Sequence, residues 1–174
     1  MLLIALGIFV WSVFQSAREG GRVTPIIPTT AVAGSRQQYE VLGRFNPPAY
    51  SPSGDDGSKP AEFQDAMRDY SNRNYAGALA RLDAVVKAHP DLLVARLYLG
   101  ICSLYNGKGN AGIEELRSLV AEGNTPYVEQ ARYYLAKGLI GSGDVGGARH
   151  QLDALIAMHG EMAQQAEALL ARIK

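Results

Sequence analysis

The sequence is poor in the residue types that mark most sites of chemistry. It has 1 cysteine in 174 residues, Cys102, which excludes an intramolecular disulfide and a Cys-x-x-Cys metal site within the chain. Cys102 falls on the inward side of a helical pattern and reads as a small core residue. The 3 histidines, His89, His150 and His159, are expected near helix C-termini, and none stands beside a nucleophile or a ligand cluster. Formal net charge is zero, with 17 basic and 17 acidic residues, so no basic footprint points to nucleic acid. The adjacent acids Glu114-Glu115 diverge on a helix and Asp55-Asp56 are solvated in a loop, so neither forms an acid/base couple. Accordingly no catalytic, cofactor-binding or metal-ligating residue is assigned, and neither turnover nor a small-molecule substrate is expected.

Long uncharged apolar stretches are also absent, with one exception at the start. Residues 1–16 (MLLIALGIFVWSVFQS) carry no charge and read as membrane-inserting. As a helix they would rise about 24 Å, against a hydrocarbon core of about 30 Å, so residues 1–17 form a short or truncated single-pass anchor. A cleaved signal peptide is the rival. It lacks a basic leading region, and the one Ala-x-Ala site, Ala31-Val32-Ala33, lies behind Arg18 and Arg22. Those arginines would by charge keep the following domain on the cytoplasmic side. Residues 18–59 then gather Pro25, Pro28, Pro47, Pro48 and Pro52 among Ser, Thr and Gly, the composition of a stiffened tether.

What dominates the rest is a phrase spoken twice. Gly107-Lys108-Gly109-Asn110-Ala111-Gly112 recurs 34 positions later as Gly141-Ser142-Gly143-Asp144-Val145-Gly146, each preceded and followed by an amphipathic run. Both phrases match G-x-G-x-x-G, but a dinucleotide site needs a strand in front, and here a helical pattern stands there. The glycines are read instead as helix C-caps and tight inter-helix turns, where positive φ is cheap only for glycine. A period near 34 indicates stacked helix pairs. The spacing predicts an all-α domain over 60–174, with pairs at 61–72 and 75–88, 92–105 and 111–121, 127–140 and 145–158. A seventh helix over 161–173 has one polar face and is expected to cap the stack.

The spacing and content resemble the tetratricopeptide repeat (TPR) family. Its small first-helix residue is matched by Ala66, Gly100 and Ala136, and its turn tyrosine by Tyr75. Its second-helix packing series is matched by Ala78-Leu82-Val85, Gly112-Leu116-Leu119 and Ala148-Leu152-Leu155, and its closing proline by Pro90 and, after a slip, Pro126. Gly112 stands where alanine is usual, and Gly109 where the turn aromatic is usual. The resemblance implies a helical-hairpin solenoid with repeats at about 60–91, 92–126 and 127–160 and a cap at 161–174. It also implies a concave face for a protein or peptide partner, lined by Phe63, Met67, Tyr70, Leu97, Ile101, Tyr105, Tyr133 and Lys137. The family's carboxylate clamp is not implied, because Phe63, Met67, Leu97 and Ile101 occupy its positions. An alternative reading packs several of these side chains between hairpins.

The apolar span, the element Pro48-Ala49-Tyr50-Ser51-Pro52 and the motif Tyr98-Leu99-Gly100 are similar to the C-terminal part of bacterial membrane anti-sigma-factor-like proteins with a zinc finger. That likeness implies a repeat domain on the outer side of the membrane. The zinc-binding Cys/His cluster is missing here, so no sigma-factor contact carries over to any residue. The expected function is a membrane-tethered scaffold for a protein partner. The alternative is the periplasmic, regulatory half of an anti-sigma-like protein. Finally, Phe45-Asn46-Pro47-Pro48-Ala49-Tyr50, bracketed by rings and stiffened by proline, has two readings: an undocked leash, or a segment docked near Phe63, Met67 and Tyr70 that completes the fold or occupies the partner site until displaced.

Overall fold

The computed structural model describes residues 43–44, 46–50 and 56–173. The expected anchor over 1–17, most of the tether, and Phe45 lie outside the described residues. Among those described there is no strand, and no helix is long and apolar enough to cross a membrane.

Among the described residues a 3-10 turn, Asp56–Ser58, leads into seven α-helices. They are α1 (Ala61–Ser71), α2 (Tyr75–Ala88), α3 (Leu93–Tyr105), α4 (Gly109–Ala121), α5 (Val128–Ser142), α6 (Val145–Ile156) and α7 (Ala163–Leu170). Each packs on the next in chain order, and α3 also touches α5. The result is a solenoid-like all-α stack. Helix bounds agree with the periodicity to within a few residues. α4 begins at Gly109 rather than 111, α7 is shorter at both ends, and Pro60 is the N-cap of α1. His150 lies inside α6 and not near its C-terminus.

Burial divides the helices into two kinds. α2, α4 and α6 bury narrow stripes, such as Ala78, Leu79, Leu82 and Val85 on α2, at the spacing that marks one covered face. α3 and α5 bury wide arcs, because each has a neighbour on several sides. α3 is the shared wall of two cores. Val94, Ala95 and Cys102 join Phe63, Met67, Tyr70 and Leu82, while Leu97 and Ile101 join Leu116, Leu135, Ile140 and Leu152.

The turns inside the pairs repeat one backbone. After α3, the N–H of Lys108 donates to Ser103 O (2.8 Å) and that of Gly107 to Leu104 O (3.2 Å), with Gly107 at φ 76. After α5, Asp144 N–H donates to Leu139 O (2.9 Å) and Gly143 N–H to Ile140 O (3.0 Å), with Gly143 at φ 87. This is the Schellman closure, which satisfies the last carbonyls of a helix through one left-handed residue. The turn after α1 has the same bonds, Asn74 N–H to Asp69 O and Arg73 N–H to Tyr70 O, both 2.9 Å, but its left-handed residue is Arg73 at φ 63.

Within the second pair the helices approach so closely that side chains are excluded. A Cβ on Gly112 would lie 2.8 Å from Gly100 O, and one on Gly100 would lie 2.7 Å from Leu116 Cγ. At the matching places the other two pairs carry Ala66 with Ala78 and Ala136 with Ala148, all fully buried.

Candidate functional site

The first helices α1, α3 and α5 present a face along which residues 43–44 and 46–50 lie. At one end Gly43 abuts α5 so tightly that a Cβ there would come within 2.6 Å of Gly141 Cα. Lys137 Nζ donates to Arg44 O (3.1 Å) next to that approach. At the other end Tyr70 Oη donates to Pro48 O (2.7 Å), and the Tyr50 ring meets Phe63 and Tyr98 edge-on, with centroids at 6.3 and 5.5 Å. The docking expected near α1 is therefore present for residues 46–50. Its partners are Phe63, Tyr70 and Tyr98.

Tyr50 begins a row of edge-on rings that continues through Tyr98 to Tyr70 (4.9 Å), Tyr75 (5.2 Å) and Tyr105 (4.6 Å). Each such pair adds about 0.5–1.5 kcal/mol beyond the area it buries. Burial, followed by the neighbouring Tyr98, pushes the Tyr70 hydroxyl well above the ordinary tyrosine range, so it stays a protonated donor to Pro48. Burial raises Tyr134 in the same way. Lys137 is held below the ordinary lysine range by burial and then by Arg172, an environment that weakens its charge. Cys102 is fully buried and burial pushes its thiol up to about 12, so it is not a nucleophile at neutral pH. Among the described residues no group of three His, Cys, Asp or Glu side chains could hold a metal ion.

The residues assigned to the partner face separate into two sets. Phe63, Met67, Tyr70, Leu97 and Ile101 are core, at 0–4% exposure. Tyr105 is open at 48%, Tyr133 is half-buried with its ring edge-on to Tyr134 (5.4 Å), and Lys137 is nearly covered at 9%. The reason is geometric. Phe63, Met67 and Tyr70 pack with Val94, Ala95, Cys102 and Tyr50, and Leu97 and Ile101 with Leu116, Leu135 and Ile140, so the stripe that reads as groove is spent on packing.

Three concavities border the segment. An open cleft of about 1120 Å³ lies between Leu104, Tyr105, Lys108, Gly109, Gly138 and Gly141, where Gly109 supplies no side chain at the turn. A second of about 480 Å³ runs beside Pro48 to Tyr70, Tyr75 and Tyr105, and a third of about 420 Å³ lies between Tyr50, Leu97, Tyr98, Gln130 and Tyr134. Gln130 was not signalled by the sequence pattern, since a polar residue inside a helix carries no periodic cue. Tyr98 had a cue only through its neighbours in the Tyr98-Leu99-Gly100 motif. The chain matches no protein-family model and no curated protein.

On the opposite side, Arg96 joins α3 to α4. Its Nε and Nη1 reach Glu115 and Glu122 (2.8 Å each), and Nη2 donates to Ser118 Oγ (2.7 Å). Such a satisfied cluster fixes the pair without offering free charge to a ligand.

Proposed function

We propose that this chain is a membrane-tethered scaffold of the TPR kind, which holds a protein or peptide partner along the face of its first helices. The observation that carries the reading is that this face already holds an extended peptide, the chain's own residues 46–50, read by one hydroxyl and two rings. Stacked helix pairs generate extended surfaces suited to such a ligand. The repeat family is supported by the recurring left-handed turn and by the small residues at the helix crossings, Ala66, Gly100, Gly112 and Ala136. The tether is supported by the uncharged composition of residues 1–16 and the proline-rich stretch that follows. The repeat domain is placed on the outer side of the membrane by family resemblance alone. The role is binding rather than turnover.

Photo-crosslinking in the membrane fraction tests it. A photoreactive residue in place of Tyr105, which is open on the first-helix face, is expected to give a discrete heavier adduct. The same residue in place of Glu114, on the second-helix side, is expected to give none. Equal labelling from both positions, or from neither, would remove the surface from consideration. Release of the chain into the soluble fraction by alkaline carbonate would remove the anchor.

A further inference from the structure

We propose that residues 46–50 are a resident occupant of a site for an extended Pro-x-Tyr segment, and that a partner bearing this chemistry takes the site by displacing them. The inference rests on the reading of the first-helix face as the interaction surface.

The segment is held as a ligand is held. It is neither helix nor strand between Asn46 and Tyr50, it offers one carbonyl to Tyr70 Oη, and it inserts one ring between Phe63 and Tyr98, while Asn46 and Ala49 stay exposed. A segment that only completed a core would leave close-packed surroundings. Here it leaves clefts of about 480 and 420 Å³ on its flanks. The second cleft carries an independent sign of a missing ligand atom. Gln130 lines it, and Gln130 Oε1 is buried with no hydrogen-bond partner among the described residues. A buried acceptor left unpaired is costly, and an incoming N–H would relieve it.

The partner's chemistry follows from these contacts. Proline keeps the segment extended before binding, so little conformational freedom is lost. The carbonyl taken by Tyr70 lies two residues ahead of the tyrosine that fills the ring site. A donor that reaches Gln130 would give a partner a bond that residues 46–50 do not make. That bond supplies the differential affinity any displacement requires.

A resident segment tied roughly ten residues ahead of α1 acts at an effective concentration in the millimolar range. The same segment from a second copy has the same intrinsic affinity and loses to it, so exchange between copies is not the expected occupancy. A partner succeeds by binding more tightly than residues 46–50 or by being concentrated at the same surface.

The test uses the full chain in detergent and a fluorescent peptide with the sequence of residues 44–52. Tyr50→Ala empties the ring site without changing its walls, and is expected to bind the peptide at least about tenfold more tightly than the unaltered chain. Pro48→Gly, which loosens the resident segment and spares the core, is expected to act in the same direction. Adding Tyr70→Phe to Tyr50→Ala is expected to weaken binding about three- to tenfold, and a peptide with its tyrosine replaced by alanine is expected not to bind. Equal binding to the unaltered chain and both variants, or none to either variant while helical content is normal, would overturn the proposal. Crosslinking from Tyr105 separates the two readings. If the adduct persists when the peptide fails, this inference falls and the interaction surface stands.

Discussion

At the turn after α1, Arg73 sits at φ 63, the Asn74 side chain accepts from Gly77 N (3.1 Å), and the Tyr75 ring joins the aromatic row. At the turn after α3, Gly107 sits at φ 76, Lys108 provides no side-chain cap, and Gly109 has no side chain at all. The hydrogen bonds that close the two turns are the same. One backbone is thus reached by two divisions of labour. The first turn accepts a strained left-handed arginine and gains a cap and two ring contacts. The second has an unstrained glycine, forgoes the cap, and leaves an open cleft of about 1120 Å³ beside Gly109. A turn with two glycines next to an open cleft can admit another molecule. The first turn, filled by rings and adjoining residues 46–50, is a fixed wall.

The contrast extends into the pairs. The first pair crosses through Ala66 and Ala78, the second through Gly100 and Gly112. Restoring the alanine usual in such repeats at Gly112 brings a Cβ within 2.8 Å of a backbone oxygen, and backbone cannot yield as a side-chain tip can. Gly112→Ala is therefore expected to destabilise by about 2–3 kcal/mol in urea unfolding, despite a better helix propensity. A gain in stability would show that the two pairs do not differ in their crossing distance.

Next in size are the left-handed glycines. Gly107→Val and Gly143→Val should each cost about 1–2 kcal/mol, with Lys108→Ala nearly neutral, since Lys108 caps nothing through its side chain. Three equal small effects in thermal melts would sink the turn assignment.

Tyr70 in the first pair has Leu104 as its counterpart 34 positions on. The unfolded chain ionises a tyrosine above pH about 10, whereas folded Tyr70, with its raised pKa, keeps its proton, so the unfolded state binds fewer protons there and stability falls as pH rises. The loss is about 1.4 kcal/mol per pH unit for Tyr70 and the same for Tyr134, also raised. Lys137, lowered in the fold, works the other way: below the unfolded lysine value the unfolded state binds more protons, so its penalty fades as pH rises toward that value. Amide exchange at pH 11 should show α1 and α2 opening before α3 and α4, with Tyr70→Phe abolishing the order. Opening in the opposite order would place the alkaline weakness outside the first pair.

The smallest effects are gains. Arg73→Gly should stabilise by about 0.5–1 kcal/mol through relief of the left-handed conformation, measured by the urea midpoint. Lys108→Asn should add about 0.5 kcal/mol, at the low end for an N-cap because Ala111 carries a Cβ where Gly77 receives the Asn74 cap. No change in either midpoint would mean that these turns contribute through backbone bonding alone.

The helices were legible because their apolar residues recur at helical spacing, and the left-handed turns because glycine stands where the pattern breaks. Arg73 was not legible as left-handed, since nothing in the residues Asn72-Arg73-Asn74 requires it. The position is imposed by the same closure that glycine fills elsewhere. The partner face was legible only as a stripe. Periodicity identifies Phe63, Met67, Tyr70, Leu97, Ile101 and Tyr105 as one side of their helices, and says nothing of which neighbour covers that side.

By itself, then, the sequence determined the all-α stack, the number and approximate bounds of its described helices, and the two glycine turns, because each depends on contacts within a few residues. The tertiary structure alone decided that Phe63 and Ile101 are core while Tyr105 is open, that Gly100 and Gly112 admit no methyl group, and that Tyr50 fills a berth between Phe63 and Tyr98. Those outcomes depend on distances between helices far apart in the chain, which local periodicity does not encode.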